Sequence, residues 1–285
     1  MRCLICTLAV IGGLGLGPGA RLAAAQQRPL VTEDPEPIGS GRMMVEGGFD
    51  YLKDVTYPVS GLTGDLLKVP TVGVSVGLSS IVELQIDGGF YNRLTVTERR
   101  DAPLSNQLDF TGDRTTDVED LVVATKIRFV SESPGRPALG VRLATRLPNA
   151  GNESGLGLDT TDFFATLLGG KTVRSVRIVG NFGFAILGDP TRGDRQNDVI
   201  TYGLSAARAL TNHIEVVGEI NGRADTRNGE PPPGTENRAA ARAGARFTKG
   251  PVRLDTAAIV GVTAVDPRVG FTLGFTYVFD AFRVP

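Results

Sequence analysis

Apolar residues recur at every second position through most of this chain. The clearest run is the last, in which Val269, Phe271, Leu273, Phe275, Tyr277 and Phe279 alternate with Gly270, Thr272, Gly274, Thr276 and Val278. A period of two places one set on each face of a β-strand. Upstream, Met43, Val45, Phe49 and Tyr51 oppose Arg42, Glu46 and Asp50, and Val72, Val74, Val76 and Leu78 oppose Thr71, Gly73, Ser75 and Gly77. Val82, Leu84, Ile86 and Phe90 oppose Glu83, Gln85 and Asp87; Leu121, Val123, Ile127 and Phe129 oppose Ala124, Lys126 and Arg128. Leu139, Val141, Leu143 and Leu147 face away from Arg142 and Arg146, and Val176, Ile178, Phe182, Phe184 and Ile186 face away from Arg177 and Asn181. Later runs centre on Tyr202, on Val216 against Glu215 and Glu219, on alanines against Arg238, Arg242 and Arg246, and on Leu254 against Arg253 and Asp255. One stretch, 162–169, is ambiguous because Phe163-Phe164 and Leu167-Leu168 sit side by side. Counting it, the pattern predicts about 12 strands.

The connections alternate in length. Those after even strands are short, at Ser79-Ser80, 131–136, 170–173, 210–213 and 248–251, whereas those after odd strands are longer and polar, including 97–116, 148–160, 188–198 and 223–237. Short turns on one rim and long loops on the other are the mark of an outer-membrane barrel, and an even strand number returns the C-terminus to the periplasmic side. The competing architecture is a soluble β-sandwich, which also alternates its faces. A sandwich turns its apolar face inward and rarely sets three arginines on the other face of one strand. Aromatic residues also fall near strand ends: Phe129, Phe247, Tyr277 and Phe279 toward the short-turn rim, and Phe49, Tyr51 and Phe90 toward the long-loop rim. They resemble two interfacial girdles. The expected fold is therefore all-β, a single-chain antiparallel transmembrane β-barrel.

The first 25 residues read as a cleaved signal peptide: Arg2, an apolar run from Leu4 to Leu16, and Ala23-Ala24-Ala25 before Gln26. Residues 26–41 carry three prolines and no alternation, and are expected to be an irregular segment in the periplasm or a plug in the barrel. The barrel is expected over 42–279, with a C-terminal extension at 280–285. Both cysteines, Cys3 and Cys6, fall in the leader. Losing Arg2 and Arg21 with it leaves 28 basic against 31 acidic residues, which gives no reason to invoke nucleic acid. No later stretch holds ~18 consecutive apolar residues, so any membrane crossing is by strands.

Particular segments are familiar. Residues 29–37, Pro-Leu-Val-Thr-Glu-Asp-Pro-Glu-Pro, followed by Gly39 and Gly41, resemble the opening of an outer-membrane β-barrel family described as transporters of the meta-pathway of phenol degradation. Arg146-Leu147-Pro148 before a glycine-rich loop, Thr161-Asp162-Phe163 and residues 273–279 fit the same family. The resemblance implies a single-chain barrel in the outer membrane and passage of small aromatic compounds. It carries no catalytic or binding residues across.

Function is expected on the inward face, where Glu83, Asp87, Lys126, Arg128, Arg142, Arg146, Arg177, Glu215, Glu219, Arg238, Arg242, Arg246, Arg253 and Asp255 would line the lumen. These charges either polarise a channel that orients anionic or phenolate solutes, or pair with one another and fill the lumen. The single histidine, His213, falls in a short turn on the periplasmic rim and reads as a turn residue rather than a catalytic base. Asp113, Asp117, Glu119 and Asp120 lack the regular spacing of a calcium loop, and no metal or cofactor is expected. The expected partners are outer-membrane lipids, the barrel assembly machinery acting on the strand 269–279, and a small-molecule solute. The reading is a non-enzymatic outer-membrane channel for small molecules, aromatic or hydrophobic ones among them. Its alternative is a structural or surface-interaction barrel with a closed lumen and functional extracellular loops.

Overall fold

The computed structural model describes residues 28–283, so the expected signal peptide, with Cys3 and Cys6, lies outside the described residues. Fourteen strand segments follow one another: β1 (Arg42–Tyr57), β2 (Leu62–Gly77), β3 (Val82–Gly89), β4 (Asn92–Arg99), β5 (Arg114–Asp117), β6 (Leu121–Val130), β7 (Ala138–Leu147), β8 (Asp162–Val173), β9 (Val176–Gly188), β10 (Gln196–Ala209), β11 (Ile214–Asp225), β12 (Arg238–Lys249), β13 (Val252–Gly261) and β14 (Val269–Asp280). Each pairs antiparallel with its neighbour, and β1 pairs with both β14 and β2, which closes the sheet. β3 and β4 both pair with β2, while β6 joins β3 and β5 joins β4. Each couple is thus one stave in two lengths, and fourteen segments make twelve staves. Closure joins the first stave to the last, the condition for a sheet to cross hydrocarbon.

The alternation sorts the side chains as a membrane requires. The apolar set points out: Phe182 is 62% exposed, Phe184 57%, Leu204 56% and Leu254 53%. A continuous apolar exterior of this kind is incompatible with water. The polar set points in, where Glu83, Lys126, Glu219 and Thr276 are buried. The ambiguous stretch resolves the same way. Phe163 and Leu167 face lipid, whereas Leu168 is buried and Phe164 packs inward on Ala185, Leu187 and Val199. The doubled hydrophobics are one outward and one inward residue, at a place where the lumen wall is itself apolar.

Several boundaries differ from the sequence expectation. β1 runs six residues beyond Tyr51 and β2 starts at Leu62, so Phe49 and Tyr51 lie within a strand rather than at its end. Beyond Lys53, β1 has lost β14 as a partner and pairs with β2 alone. The alternation fails there because Val55, Leu62, Leu66 and Leu94 are apolar yet face the inside of the barrel mouth. A bulge between Leu52 and Val55, with Asp54 at φ 57°, shifts the period as well. The expected loop 97–116 shrinks to 100–113, because β4 and β5 extend the wall from both sides. The turn expected at 170–173 sits instead at Arg174-Ser175, with Arg174 at φ 57°. Likewise the turn at 248–251 tightens to Gly250-Pro251.

At the long-loop end the connections fold over this apolar patch. Leu108, Phe110 and Leu156 pack on the Val55–Leu62–Leu66–Leu94 cluster, and the Arg99 guanidinium lies 4.4 Å over the Phe110 ring. Ser60 Oγ donates to Gly155 O at 2.8 Å and Thr115 Oγ1 to Ser154 O at 2.8 Å, tying the loops to the wall.

Candidate functional site

The barrel interior is occupied from the short-turn end by residues 28–41. Pro29, Pro35 and Pro37 have no N–H to give and fixed φ, so this segment cannot join a β-ladder and must find side-chain partners. It finds them on the wall. Glu219 accepts the Val31 N–H at 2.8 Å and the Thr32 N–H at 2.7 Å. Asn181 clamps Glu33, accepting its N–H at 2.7 Å and donating to its carbonyl at 2.8 Å. Glu83 accepts the Ile38 N–H at 2.7 Å.

The acidic side chains of the segment meet the basic staves. Glu33 receives Lys126 Nζ at 2.7 Å, Asp34 receives Arg177 at 2.7 Å, and Glu36 pairs with Arg128. Lys126 is fully buried and touches Glu83 at 3.2 Å as well. An ion this far from water holds its charge only with partners, and both of its partners are carboxylates. Arg28, first of the described residues, donates to Thr71 Oγ1 at 2.9 Å and Thr272 Oγ1 at 2.7 Å, and stands 3.6 Å from Asp255. Its guanidinium lies against Gly48 and Gly274, where a Cβ would come within 2.2 Å and 2.3 Å of it.

The remaining inward charges mostly meet one another. Arg142 reaches Gln85 Oε1 at 2.7 Å and Asp87 at 3.6 Å. Arg242 pairs with Glu219 and Arg246 with Glu215, across neighbouring strands, at 2.8 and 2.9 Å. Arg253 lies 3.7 Å from Glu46, Arg146 pairs with Asp162, and Arg177 also meets Glu132. Outside the membrane-spanning strands, burial pushes the Glu132 carboxyl up, but the Thr172 N–H and Arg177 outweigh it and hold it below the ordinary carboxylate range.

Between this segment and the loops is a cavity of about 620 Å³. Its floor includes Arg28, Leu30 and Glu33; its wall includes Phe164, Asn181 and Asn221; Arg146, Arg223 and Arg238 stand toward its outer end. Arg223 and Arg238 face each other in register on β11 and β12. Arg238 stands 3.7 Å from Asp266, while Arg223 donates to the carbonyls of Glu236 at 2.9 Å and Gly234 at 2.7 Å and, among the described residues, has no carboxylate within ion-pair distance. Like charges set opposite each other across a ladder are unfavourable unless something anionic relieves them.

Sequence reasoning missed Arg28, Arg223 and the acids of residues 33–36 as parts of this interior. The signal for the last was available: three acids within four residues, and a wall offering Lys126, Arg128, Arg142 and Arg177. Arg223 sits past the last clear alternating residue of its strand, so pattern alone did not place it. His213 is an exposed turn residue with Nδ1 2.9 Å from Thr248 O. The loop carboxylates are spent on structure: Asp120 accepts the Asn149 and Ala150 N–H groups, Asp117 accepts that of Gly151, and Glu119 holds Lys68. Among the described residues no group of three His, Cys, Asp or Glu side chains is placed to hold a metal.

No protein-family model and no curated protein matches this chain. Solved structures do. An outer membrane channel from Pseudomonas putida F1 superimposes with a TM-score of 0.63 at 12% identity, over 86% of this chain and 98% of that one. The NanC porin aligns with a TM-score of 0.48 at 8% identity, over 82% and 98% of the two chains. The translocator domain of the autotransporter NalP from Neisseria meningitidis gives 0.47 at 13%, over 84% and 88%. The first of these is a likeness of fold along nearly the whole barrel, and it agrees with the closed sheet and apolar exterior. The chain has the fold of an outer-membrane β-barrel.

Proposed function

We propose that this barrel is a channel for passive movement of small molecules, with residues 28–41 seated in its lumen as the axial constriction. The observation that carries the reading is the cavity of about 620 Å³ above that segment, large enough for a small organic solute and walled by both guanidinium groups and apolar side chains. Twelve staves make a lumen wider than the side-chain-filled eight-stranded case and narrower than a porin's. Arg223 at its outer end, which has carbonyl rather than carboxylate partners, favours the anionic end of a solute, with Arg238 opposite it and Phe164 and Leu30 available to the apolar body. A phenolate or aromatic acid has both ends, and the resemblance of residues 29–41 to the phenol-pathway transporters supports that class. The reading assigns no catalytic step. Most of the other inward charges have carboxylate partners, so they shape the lumen and seat the segment rather than stand ready for solute.

The test is single-channel conductance of the refolded protein in planar bilayers, with and without residues 26–41. The full chain is expected to conduct little or intermittently, and the shortened chain steadily. Arg223→Ser with Arg238→Ser should shift ion preference away from anions, whereas Arg242→Ser, whose charge is committed to Glu219, should shift it less. A folded barrel that conducts in neither form would replace the channel with the closed-lumen, surface-interaction reading.

A further inference from the structure

The charges around the cavity are sorted by side. Arg223 and Arg238, in register on β11 and β12, stand on one wall, and Asp87, on β3, stands on another. In the closed order of the sheet β3 and β11 are six staves apart whichever way round they are counted, so these groups face each other across the barrel. β8, which carries Phe164 into the cavity, is three staves from each. An aromatic ring thus stands beside the path between the acidic and the basic wall.

Neither wall is neutral. On the acidic side three carboxylates, Glu33, Glu83 and Asp87, share two cations, Lys126 and Arg142, which leaves one negative charge over. Lys126 is spent on Glu33 and Glu83, at 2.7 and 3.2 Å. Arg142 gives its Nε hydrogen bond to Gln85 rather than to an acid, and stands 3.6 Å from Asp87 and 3.8 Å from Glu33. Glu33 is 4% exposed and lines the cavity, yet its Oε2 accepts no hydrogen bond among the described residues. Buried carboxylate oxygens are ordinarily hydrogen-bonded, so this one marks a place for a donor. Asp87, which shares the same arginine, has 40% of its side chain exposed.

On the basic side the balance is reversed. Among the described residues Arg223 and Arg238 have one carboxylate within ion-pair distance, Asp266 at 3.7 Å from Arg238, while Arg223 is held by carbonyls. Thr201, the register partner of Arg223 on β10, also lines the cavity, and its buried hydroxyl has no hydrogen-bond partner among the described residues. A spare positive charge beside a spare hydroxyl donor suits a carboxylate.

We propose that the solute held in this cavity is an elongated zwitterion: a small aromatic acid with an ammonium group at its far end, its carboxylate on Arg223 and Thr201 and its ammonium on Asp87 and Glu33. The proposal rests on the channel reading and adds to it the second charge of the solute and the direction in which it lies. Uncompensated charges of opposite sign on facing walls set a field across the lumen. A solute with one charge answers one wall and leaves the other unanswered, whereas a dipolar solute answers both. Twelve staves roughly 4.8 Å apart and tilted about 40° make a wall roughly 24 Å across between backbones. Even with the side chains reaching inward, an α-amino acid, whose two charges sit on one carbon, does not span that width. A para-substituted ring separates its charges along its length and lies beside Phe164.

The probe is para-(aminomethyl)benzoate, with para-methylbenzoate, benzylamine and phenylalanine as comparisons, each titrated calorimetrically into the refolded full chain in detergent. The first should bind at least about tenfold more tightly than each of the others, the gain of one added charge-assisted hydrogen bond. Asp87→Asn should erase its advantage over para-methylbenzoate, and Arg223→Gln should weaken the two benzoates more than benzylamine. The comparison of the four compounds on the unaltered chain decides the matter even where a variant fails to fold. Equal binding of para-(aminomethyl)benzoate and para-methylbenzoate, binding of none of the four, or an advantage that survives in Asp87→Asn overturns the zwitterion and leaves the channel, which conductance reports separately. Phenylalanine bound as tightly as para-(aminomethyl)benzoate overturns the placement of the two charges on facing walls. A folded barrel that conducts neither with nor without residues 26–41 overturns the channel itself.

Discussion

Replacing Glu33 by glutamine should loosen the lumenal segment without touching the barrel ladder. Glu33 is buried and takes Lys126 Nζ at 2.7 Å and Gln85 Nε2 at 3.0 Å, with Arg142 at 3.8 Å. Glutamine keeps the shape but removes the charge that Lys126 and Arg142 share. Stranding a buried ion altogether costs about 3–5 kcal/mol. Lys126 is not stranded, because Glu83 stays 3.2 Å away. The loss is therefore nearer that of a hydrogen bond to a charged group, about 2–3 kcal/mol. As a shift between seated and unseated segment, that is about 30- to 150-fold in the ratio of the two. The assay places a cysteine at Ile38, which is 4% exposed in a cluster with Met44 and Val278, and follows its labelling by a maleimide too large to enter the barrel. If unseating limits labelling, the rate rises by that factor in Glu33→Gln. Glu36→Gln, whose partner Arg128 is nearer solvent, should lose only about 1 kcal/mol and label about fivefold faster. An unchanged rate in Glu33→Gln would show that the Lys126 pair does not hold the segment, and that the backbone bonds to Glu219, Asn181 and Glu83 suffice.

Gly48→Val or Gly274→Val should expel the Arg28 guanidinium, since an added Cβ would lie 2.2 or 2.3 Å from it. The same labelling assay should report a looser segment, while heat-modifiability in detergent gels shows the barrel intact. Leu62→Ala or Leu94→Ala, each fully buried in the mouth cluster, should cost about 2–5 kcal/mol. The loss should appear as faster proteolysis of loops 100–113 and 148–161 before any loss of the barrel. The turn 131–137 is held to β8 and β9 by Glu132, whose carboxyl lies below its ordinary value of 4.5. A group with a depressed folded value contributes stability that is full above its unfolded value and fades as pH falls through the folded one. Protease cleavage of that turn should thus quicken below pH 4.5, and Glu132→Gln should remove the dependence.

The barrel was legible in the sequence because a period of two is a local property. Each strand that separates lipid from water carries its own record of which face is which. Runs such as 269–279 and 239–247 therefore fixed their orientation without knowledge of their neighbours, and turn lengths supplied the two rims. The record failed wherever both faces share one polarity. Above Tyr51 the inward residues Val55, Leu62 and Leu66 are as apolar as the outward ones, so the tall hairpin of β1 and β2 read as loop. At Phe163-Phe164 an apolar lumen patch hid the same alternation.

What only the tertiary structure decided was pairing between distant parts. The sequence set nine basic and five acidic candidates on the inward face. It could not say that Lys126, Arg128 and Arg177 meet Glu33, Glu36 and Asp34 from a non-strand segment some ninety or more residues away. Nor could it say that Arg223 has carbonyls instead of carboxylates. A charge has no period that names its partner. Coulomb attraction acts through space, and which ions become neighbours depends on the closure of the sheet and the register of every stave between them.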